Sequence, residues 1–164
     1  MAKAVAERNP ELAFALLRVA KENFPDDKRA LNDFGVLAHQ LGRTAEARDA
    51  FEAAVALDSS YERARYNLAT LYNELGAFDL AAQQLSALVA LNDASPNYWY
   101  DLAMNKAALL RQEPLPSVEG LDEVIEYLEK VRSLEPGFAK TEENLAVVRN
   151  LRAALARDGS SVSE

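Results

Sequence analysis

The sequence predicts an all-α fold in which antiparallel helix pairs stack on one another. Three small residues, Gly35, Ala69 and Ala103, lie 34 residues apart, and the residues around them repeat in the same register. Repeats of about 20–50 residues are typical of stacked supersecondary units. Within each repeat, apolar residues recur at helical spacing, whereas strictly alternating β-branched runs and Asn-Gly turns are missing. These observations favour helical repeats over a mixed or all-β fold.

The first complete unit, residues 28–61, is predicted to be a helix, a turn and a second helix. Apolar residues recur at helical spacing from Lys28 to Gln40. Gly42 is placed to end that helix in the left-handed conformation, and Thr44 can cap the next one. Helices that cross closely need a small residue where their backbones approach, which explains Gly35 and its equivalents.

The next two units keep this pattern, but the third contains an insertion. Residues 62–95 form the second unit, with helices predicted over 62–74 and 78–91. In the third unit, residues 96–138, Ala103 and its partner Val124 are 21 residues apart, against 12 in the other units, so nine residues are inserted. Two interpretations stay open. The insertion is either a longer first helix with a surface loop, or the edge of a groove that presents Leu115 to a ligand.

The two ends differ from the complete units. Residues 1–27 are predicted to be an incomplete unit whose helix, residues 10–25, carries apolar residues nearly all round. Such a helix expects cover on more than one side, which favours the interpretation that the chain is a fragment of a longer repeat protein. Residues 139–157 are predicted to be a capping helix that completes a single domain over 1–157. The small polar residues 158–164 indicate a disordered tail.

Composition excludes several classes of site. A net charge of −8 and a pI of about 4.8 argue against nucleic acid or an anionic membrane as the main ligand. No apolar run approaches the roughly 20 residues of a membrane span. Because the chain has no cysteine and only one histidine, a disulfide and a Cys/His zinc site are excluded within one chain, and no cofactor is expected. The compartment stays open, with cytoplasm as the default and periplasm not excluded.

Two residue patterns recur in the helices of the units. The first helices contain Leu31–Phe34–Gly35, Leu68–Ala69–Tyr72 and Trp99–Leu102–Ala103, and the second helices contain Ala47–Phe51–Ala54 and Ala81–Leu85–Leu88. This combination resembles the tetratricopeptide repeat, whose 34-residue helix–turn–helix units stack into a right-handed α-α superhelix, a solenoid of antiparallel helix pairs. Two features depart from the family pattern. Among the complete units its closing proline is present only after the third, as Pro136, and Arg65 replaces a bulky apolar residue.

The resemblance implies a concave groove, lined by the first helices, that holds a peptide or a helix of another protein. The residues it places there are Asn32, Val36, His39, Tyr66, Asn67, Thr70, Asn73, Tyr100, Met104 and Ala107, and Glu143, Val147 and Asn150 extend the row. The alternative is that these residues form ordinary solvated helix faces. Tyr66 and Tyr100, one repeat apart, favour recognition because tyrosine suits protein interfaces.

The sequence lacks the residues needed for a carboxylate clamp and those needed for catalysis. Some relatives grip a C-terminal carboxylate with basic residues and asparagine, but only Asn67 fits that pattern here. Adjacent acidic residues at 26–27 and 142–143 lie at predicted helix starts, where acids complement the helix dipole. No serine nucleophile has a predictable place beside His39. The chain is therefore predicted to be a non-catalytic module that binds another protein. The alternative is an assembly or spacer scaffold that forms homo-oligomers end to end through its terminal helices.

Overall fold

The computed structural model describes the backbone of residues 9–160 and the side chains of residues 9–157. This part of the chain contains eight α-helices and no β-strand, which confirms the predicted all-α fold. The described residues up to Gly76 form one compact unit, and those from Ala77 onwards form a second. The boundary separates the two helices of the predicted repeat 62–95. Because each repeat of a stacked array contacts only its neighbours, compact units need not end where repeats end.

The helix bounds follow the repeat register closely. The first unit contains α1 (Pro10–Asn23), α2 (Lys28–Gln40), α3 (Thr44–Leu57) and α4 (Glu62–Glu74). The second unit contains α5 (Phe78–Leu91), α6 (Pro96–Leu110), α7 (Val118–Leu134) and α8 (Thr141–Ser160). The ranges predicted for α2, α4 and α5 match those observed. Within each unit, every helix packs against the next one along the chain.

The small residues of the repeat lie in the core, as predicted. Ala69 and Ala103 are buried, and at Gly35 the ring of Phe51 occupies the space that a side chain would need. A Cβ atom built on Gly35 would lie 2.6 Å from Cε1 of Phe51. Because Phe34 and Phe51 are each only 1% exposed, the ring cannot move into solvent to make room. The glycine therefore permits the close crossing of α2 and α3.

The turn after α2 confirms the predicted glycine cap but corrects the predicted threonine cap. Gly42 has a φ of 72°, its N–H donates to the carbonyl of His39, and the N–H of Arg43 donates to that of Ala38 at 2.8 Å. This pair of bonds closes the helix end as a left-handed glycine motif. The chain passes straight into α3, so Arg43 takes the N-cap position. Thr44 is already helical, and no side chain caps this helix.

The nine inserted residues are spread over three places in the second unit. Helix α6 is two residues longer than α2, the following loop is four residues longer, and α7 begins three residues earlier relative to the repeat. Ser117 caps α7 by accepting a hydrogen bond from the N–H of Gly120, against which the side chain of Leu110 packs. The interpretation as a longer first helix with a surface loop is thus confirmed, and Leu115 is 68% exposed in that loop.

The last helix extends beyond its predicted end. Helix α8 continues to Ser160, whereas residue 157 was the predicted limit and 158–164 the predicted tail. A helix that has formed gains one backbone hydrogen bond for each added residue, so a polar sequence without proline does not by itself stop it. The predicted tail residues 161–164 and the predicted partner turns at 1–8 lie outside the described residues.

Candidate functional site

Asn32, predicted to line a groove, is instead a buried link between two helices. Its side chain is 1% exposed, and its Oδ1 atom accepts a hydrogen bond of 2.8 Å from Nδ2 of Asn67 on α4. The Asn32 amide also donates to Asp33. A buried amide is stable only when it is hydrogen-bonded, and Asn67 satisfies it. Asn32 thus holds α2 to α4, and a ligand cannot reach it.

His39 links the same two helices at their other end. Its Nε2 atom lies 2.6 Å from a carboxylate oxygen of Glu74, so the histidine and the acid join the last turns of α2 and α4. One turn earlier on α2, Val36 is half-buried. Both side chains keep part of their surface accessible, so they can contribute to a binding face only at its margin.

The accessible part of the predicted row in the first unit lies on α4. Tyr66 is 37% exposed and Thr70, one turn later, is exposed, while Asn73 is half-buried. The Thr70 hydroxyl donates to the carbonyl of Tyr66 at 3.0 Å. This face is mixed in polarity, with one aromatic ring and small polar groups. It can offer hydrogen bonds and a stacking surface.

The first unit also contains a polar cavity that was not predicted from the sequence. It measures about 610 Å³ and is lined by Arg29, Asp33, Ser60, Tyr61, Glu62 and Arg63. Arg29 and Arg63 occupy equivalent positions one repeat apart, which is the sequence signal that could have identified them. Each is accompanied by a carboxylate, so the charges of the cavity balance. It suits a polar segment that carries both signs of charge.

The second unit contains an apolar cleft between α6, α7, α8 and the inserted loop. Its volume is about 560 Å³, and it is lined by Met104, Ala107, Leu110, Arg111, Glu113, Pro116, Leu121, Val124, Asn144, Val147, Val148 and Leu151. The floor belongs to the buried core, whereas Val147 and Leu151 at the mouth are 62% and 42% exposed. Pockets of this size and polarity are typical binding sites. The cleft brings together Met104 and Ala107 of the predicted row with Val147 of its extension.

The polar groups around this cleft are already engaged. The Asn144 amide donates to the Tyr100 hydroxyl at 3.1 Å, with the Met104 sulfur 3.4 Å away. The Arg111 Nε donates to the carbonyl of Ala107 at 3.3 Å. Tyr100 itself stacks edge-on against Phe138 and packs on the core behind the cleft. Tyr100 therefore positions Asn144 and is not among the residues that line this cleft, and its place in the concave groove stays a prediction.

The insertion is the part of the cleft that the repeat register could not predict. Glu113 and Pro116 of the loop form one side of it, while the exposed Leu115 is not among the lining residues. The loop thus forms an edge of this cleft, while the presentation of Leu115 to a ligand at the concave groove stays a prediction. The presence of nine extra residues was the only signal in the sequence, because an insertion has no counterpart in the other units.

The most strongly shifted pKa values belong to side chains that hold helices together. Burial, with a 2.6 Å hydrogen bond from its hydroxyl to Glu52, raises the pKa of Tyr72 to about 12. Hydrogen bonds from Lys28 and Ser60 lower the pKa of Asp58, the C-cap of α3, to about 2. Both groups have partners inside the fold. Perturbed pKa values therefore mark structural contacts here.

Neither a membrane span nor a metal site is found in the described part of the chain. None of its helices combines the length and the apolar composition needed to cross a bilayer. Between residues 9 and 160, no three His, Cys, Asp or Glu side chains converge in a way that could hold a metal ion.

Two family models, both described as tetratricopeptide repeat, match overlapping stretches of the chain. One covers residues 3–62 and the other residues 38–104. Among curated proteins, the chain is similar to the peroxisomal targeting signal receptors of Kluyveromyces lactis and Saccharomyces cerevisiae. The first is 34% identical over 76 residues, which is 46% of this chain and 13% of the receptor. The second is 33% identical over 73 residues, or 44% of this chain and 12% of the receptor.

Solved structures share the fold at low identity. A crystal structure of MamA matches with a TM-score of 0.77 at 19% identity, over 99% of this chain and 96% of that one. YrrB, described as a TPR protein with an unusual peptide-binding site, matches with a TM-score of 0.75 at 24% identity. The match covers 93% of this chain and 74% of that one. The first TPR of Spaghetti (RPAP3), bound to the HSP90 peptide SRMEEVD, matches with a TM-score of 0.62 at 24% identity. The match covers 79% of this chain and 93% of that one. With the 34-residue register and the two family matches, the conclusion is that this chain belongs to the tetratricopeptide repeat family.

Proposed function

We propose that this chain is a non-catalytic protein-interaction module that binds a helix or a peptide of another protein. The observation that carries the proposal is the apolar cleft between α6, α7, α8 and the inserted loop. Its exposed valine and leucine on α8 lie over a floor of buried core residues. Covering such side chains releases water from apolar surface, at about 25 cal/mol for each Å² removed from solvent.

The chemistry of the cleft favours a helix over an extended peptide. An extended peptide brings unpaired N–H and C=O groups into the cleft, and each would need a hydrogen-bond partner there. Arg111, Glu113 and Asn144 are the polar side chains that line the cleft, and each already has a hydrogen-bond partner in the chain itself. A helix satisfies its own backbone and presents only side chains. We therefore expect large apolar residues three or four positions apart on the ligand.

Similar proteins support a role in peptide or protein recognition. The related RPAP3 structure holds an HSP90 peptide, YrrB is described by its peptide-binding site, and the curated relatives are targeting-signal receptors. The chain spans about an eighth of those receptors, so their cargo is not assigned to it. In the first unit, the face formed by Tyr66, Thr70 and Asn73 is proposed as a separate contact surface for a partner protein.

A peptide-library selection tests the proposal. A displayed library of helix-forming peptides is selected against the intact chain, and the ligands are measured by fluorescence anisotropy. Val147→Asp places a charge at the mouth of the cleft and should weaken binding at least tenfold. Ala153→Asp, exposed on the opposite face of α8, is the matched control and should leave the affinity unchanged. The proposal fails if no ligand is selected, or if every ligand binds both variants equally.

A second candidate function is the assembly scaffold. The observation in its favour is the exposure of apolar side chains on α1, where Leu12, Leu16 and Val19 are each at least half exposed. This function does not exclude the first, since one chain can both bind a partner and associate with copies of itself.

A further inference from the structure

Helix α1 has an apolar stripe that nothing in the described chain covers. Leu12, Leu16 and Val19 are 50%, 56% and 50% exposed, and their spacing places them on one narrow arc of the helix. This α1 stripe adjoins the packed face that holds the buried Ala13 and Phe14. The apolar surface of α1 thus continues from the core into solvent. A contiguous exposed patch of this kind marks an interaction site more often than single exposed residues do.

The α1 stripe has the form of ligand that the cleft of the second unit is expected to take. It is part of a preformed helix, and its leucines, four positions apart, are followed three positions later by a valine. Helix α1 satisfies its own backbone hydrogen bonds. At its start, the side chain of Asn9 caps the helix by accepting a hydrogen bond from the N–H of Leu12. We propose that the α1 stripe of one copy of this chain docks in the α6–α7–α8 cleft of a second copy. The inference rests on the proposed function, because it names an occupant of the same cleft.

Charged groups at the margins of the two surfaces are compatible with this pairing. Glu22, whose side chain is 66% exposed, lies next to the α1 stripe and pairs with Arg18, whose Nε atom is 4.0 Å from its carboxylate. Arg111 and Glu113 lie at the edge of the cleft. Each margin therefore carries one positive and one negative group, and neither surface repels the other by net charge.

The two docking surfaces are different, and this determines the kind of assembly. An interface between unlike surfaces leaves one free stripe and one free cleft after every association step. It therefore generates either a ring or an open chain of copies, and the mean size grows with concentration. A symmetric α1–α1 dimer would instead stop at two copies. Growth of the assembly with concentration therefore distinguishes stripe-in-cleft docking from a symmetric dimer.

Complementary variants test the proposal in the intact chain. Leu16→Asp damages only the stripe, and Val147→Asp damages only the cleft. Both residues are more than half exposed, so both variants should fold, which circular dichroism verifies. Light scattering should show that the unmodified chain forms assemblies beyond a dimer as its concentration rises, whereas each variant alone remains at the 18.0 kDa of one chain. An equimolar mixture should form one-to-one pairs at twice that mass and nothing larger.

A control variant and a second pair of variants make the test specific to the stripe and the cleft. The control Ala153→Asp adds an acid to α8 outside the cleft, and this variant should still assemble. The pair Val19→Asp and Leu151→Asp should reproduce the complementation. The proposal is overturned if the unmodified chain stays monomeric, if Val147→Asp still dimerises, or if the mixed variants do not pair. If library ligands nevertheless depend on Val147, the proposed function survives and only self-docking fails.

Discussion

The ring of Phe51 lies directly over the backbone of Gly35, where a Cβ atom would be 2.6 Å from Cε1 of that ring. This contact is the physical reason for the small residue in the repeat. Two helix backbones approach closely only where one of them has no side chain between them. The neighbouring Phe34 and Leu31 then fill the space on either side.

Replacing Gly35 by alanine should destabilise the chain, although alanine favours helices. The added methyl group overpacks a full core, which costs about 1–3 kcal/mol, and this exceeds the helix-propensity gain of up to about 1 kcal/mol. Chemical denaturation of Gly35→Ala should therefore show a lower free energy of unfolding. Combining it with Phe51→Leu should recover part of the loss, because the smaller side chain leaves room. An increase in stability for Gly35→Ala alone would contradict the contact.

The tyrosines Tyr66 and Tyr100 should respond differently to truncation, although they occupy equivalent repeat positions. Tyr66 is 37% exposed, so Tyr66→Ala should change the free energy of unfolding by no more than about 0.5 kcal/mol. Tyr100 packs on Phe138 and the core, so Tyr100→Ala should cost about 1–3 kcal/mol. Tyr100→Phe, which removes only the hydroxyl that accepts from Asn144, should be milder. Equal losses for both alanine variants would show that the two environments are alike.

The alkaline stability of the chain should depend on Tyr72. Its pKa is raised to about 12 in the folded chain, against about 10 when unfolded. The neutral hydroxyl is thus favoured by folding, and its contribution is fully present below about pH 10 and is lost as the pH rises through 12. The stability difference between the unmodified chain and Tyr72→Phe should therefore be constant up to about pH 10 and then shrink. A difference that does not change with pH would contradict the assigned environment.

The absorbance of tyrosinate gives an independent measurement of the same group. Of the six tyrosines, Tyr72 should ionise near pH 12, and Tyr72→Phe should remove that step. Burial also raises the pKa of Tyr127, which is unchanged in this variant and serves as an internal reference.

The local features of the fold were predictable because they depend on neighbouring residues. The 34-residue register identified the bounds of α2, α4 and α5, and Gly42 was recognised as a left-handed cap because only a glycine adopts that conformation without strain. The threonine cap failed for a local reason as well. The glycine turn leads directly into α3, and this leaves Thr44 inside the helix.

The candidate site depended on residues that are distant in the sequence. Register identifies the helix face on which a residue lies, but its accessibility depends on what packs against that face. Asn32 was predicted to be accessible, yet Asn67, 35 positions later, buries and satisfies it. The cleft combines Met104 with Leu151 and with an inserted loop that no repeat can predict.

The sequence by itself determined that this chain is a helical repeat protein of the tetratricopeptide family, because period, small residues and glycine caps are local properties. Only the tertiary structure decided which surfaces remain open to a partner. The reason is that exposure is a property of packed neighbours. On α1 and α8, packing leaves apolar side chains exposed to solvent, whereas apolar side chains of the repeat in the other helices are mostly buried.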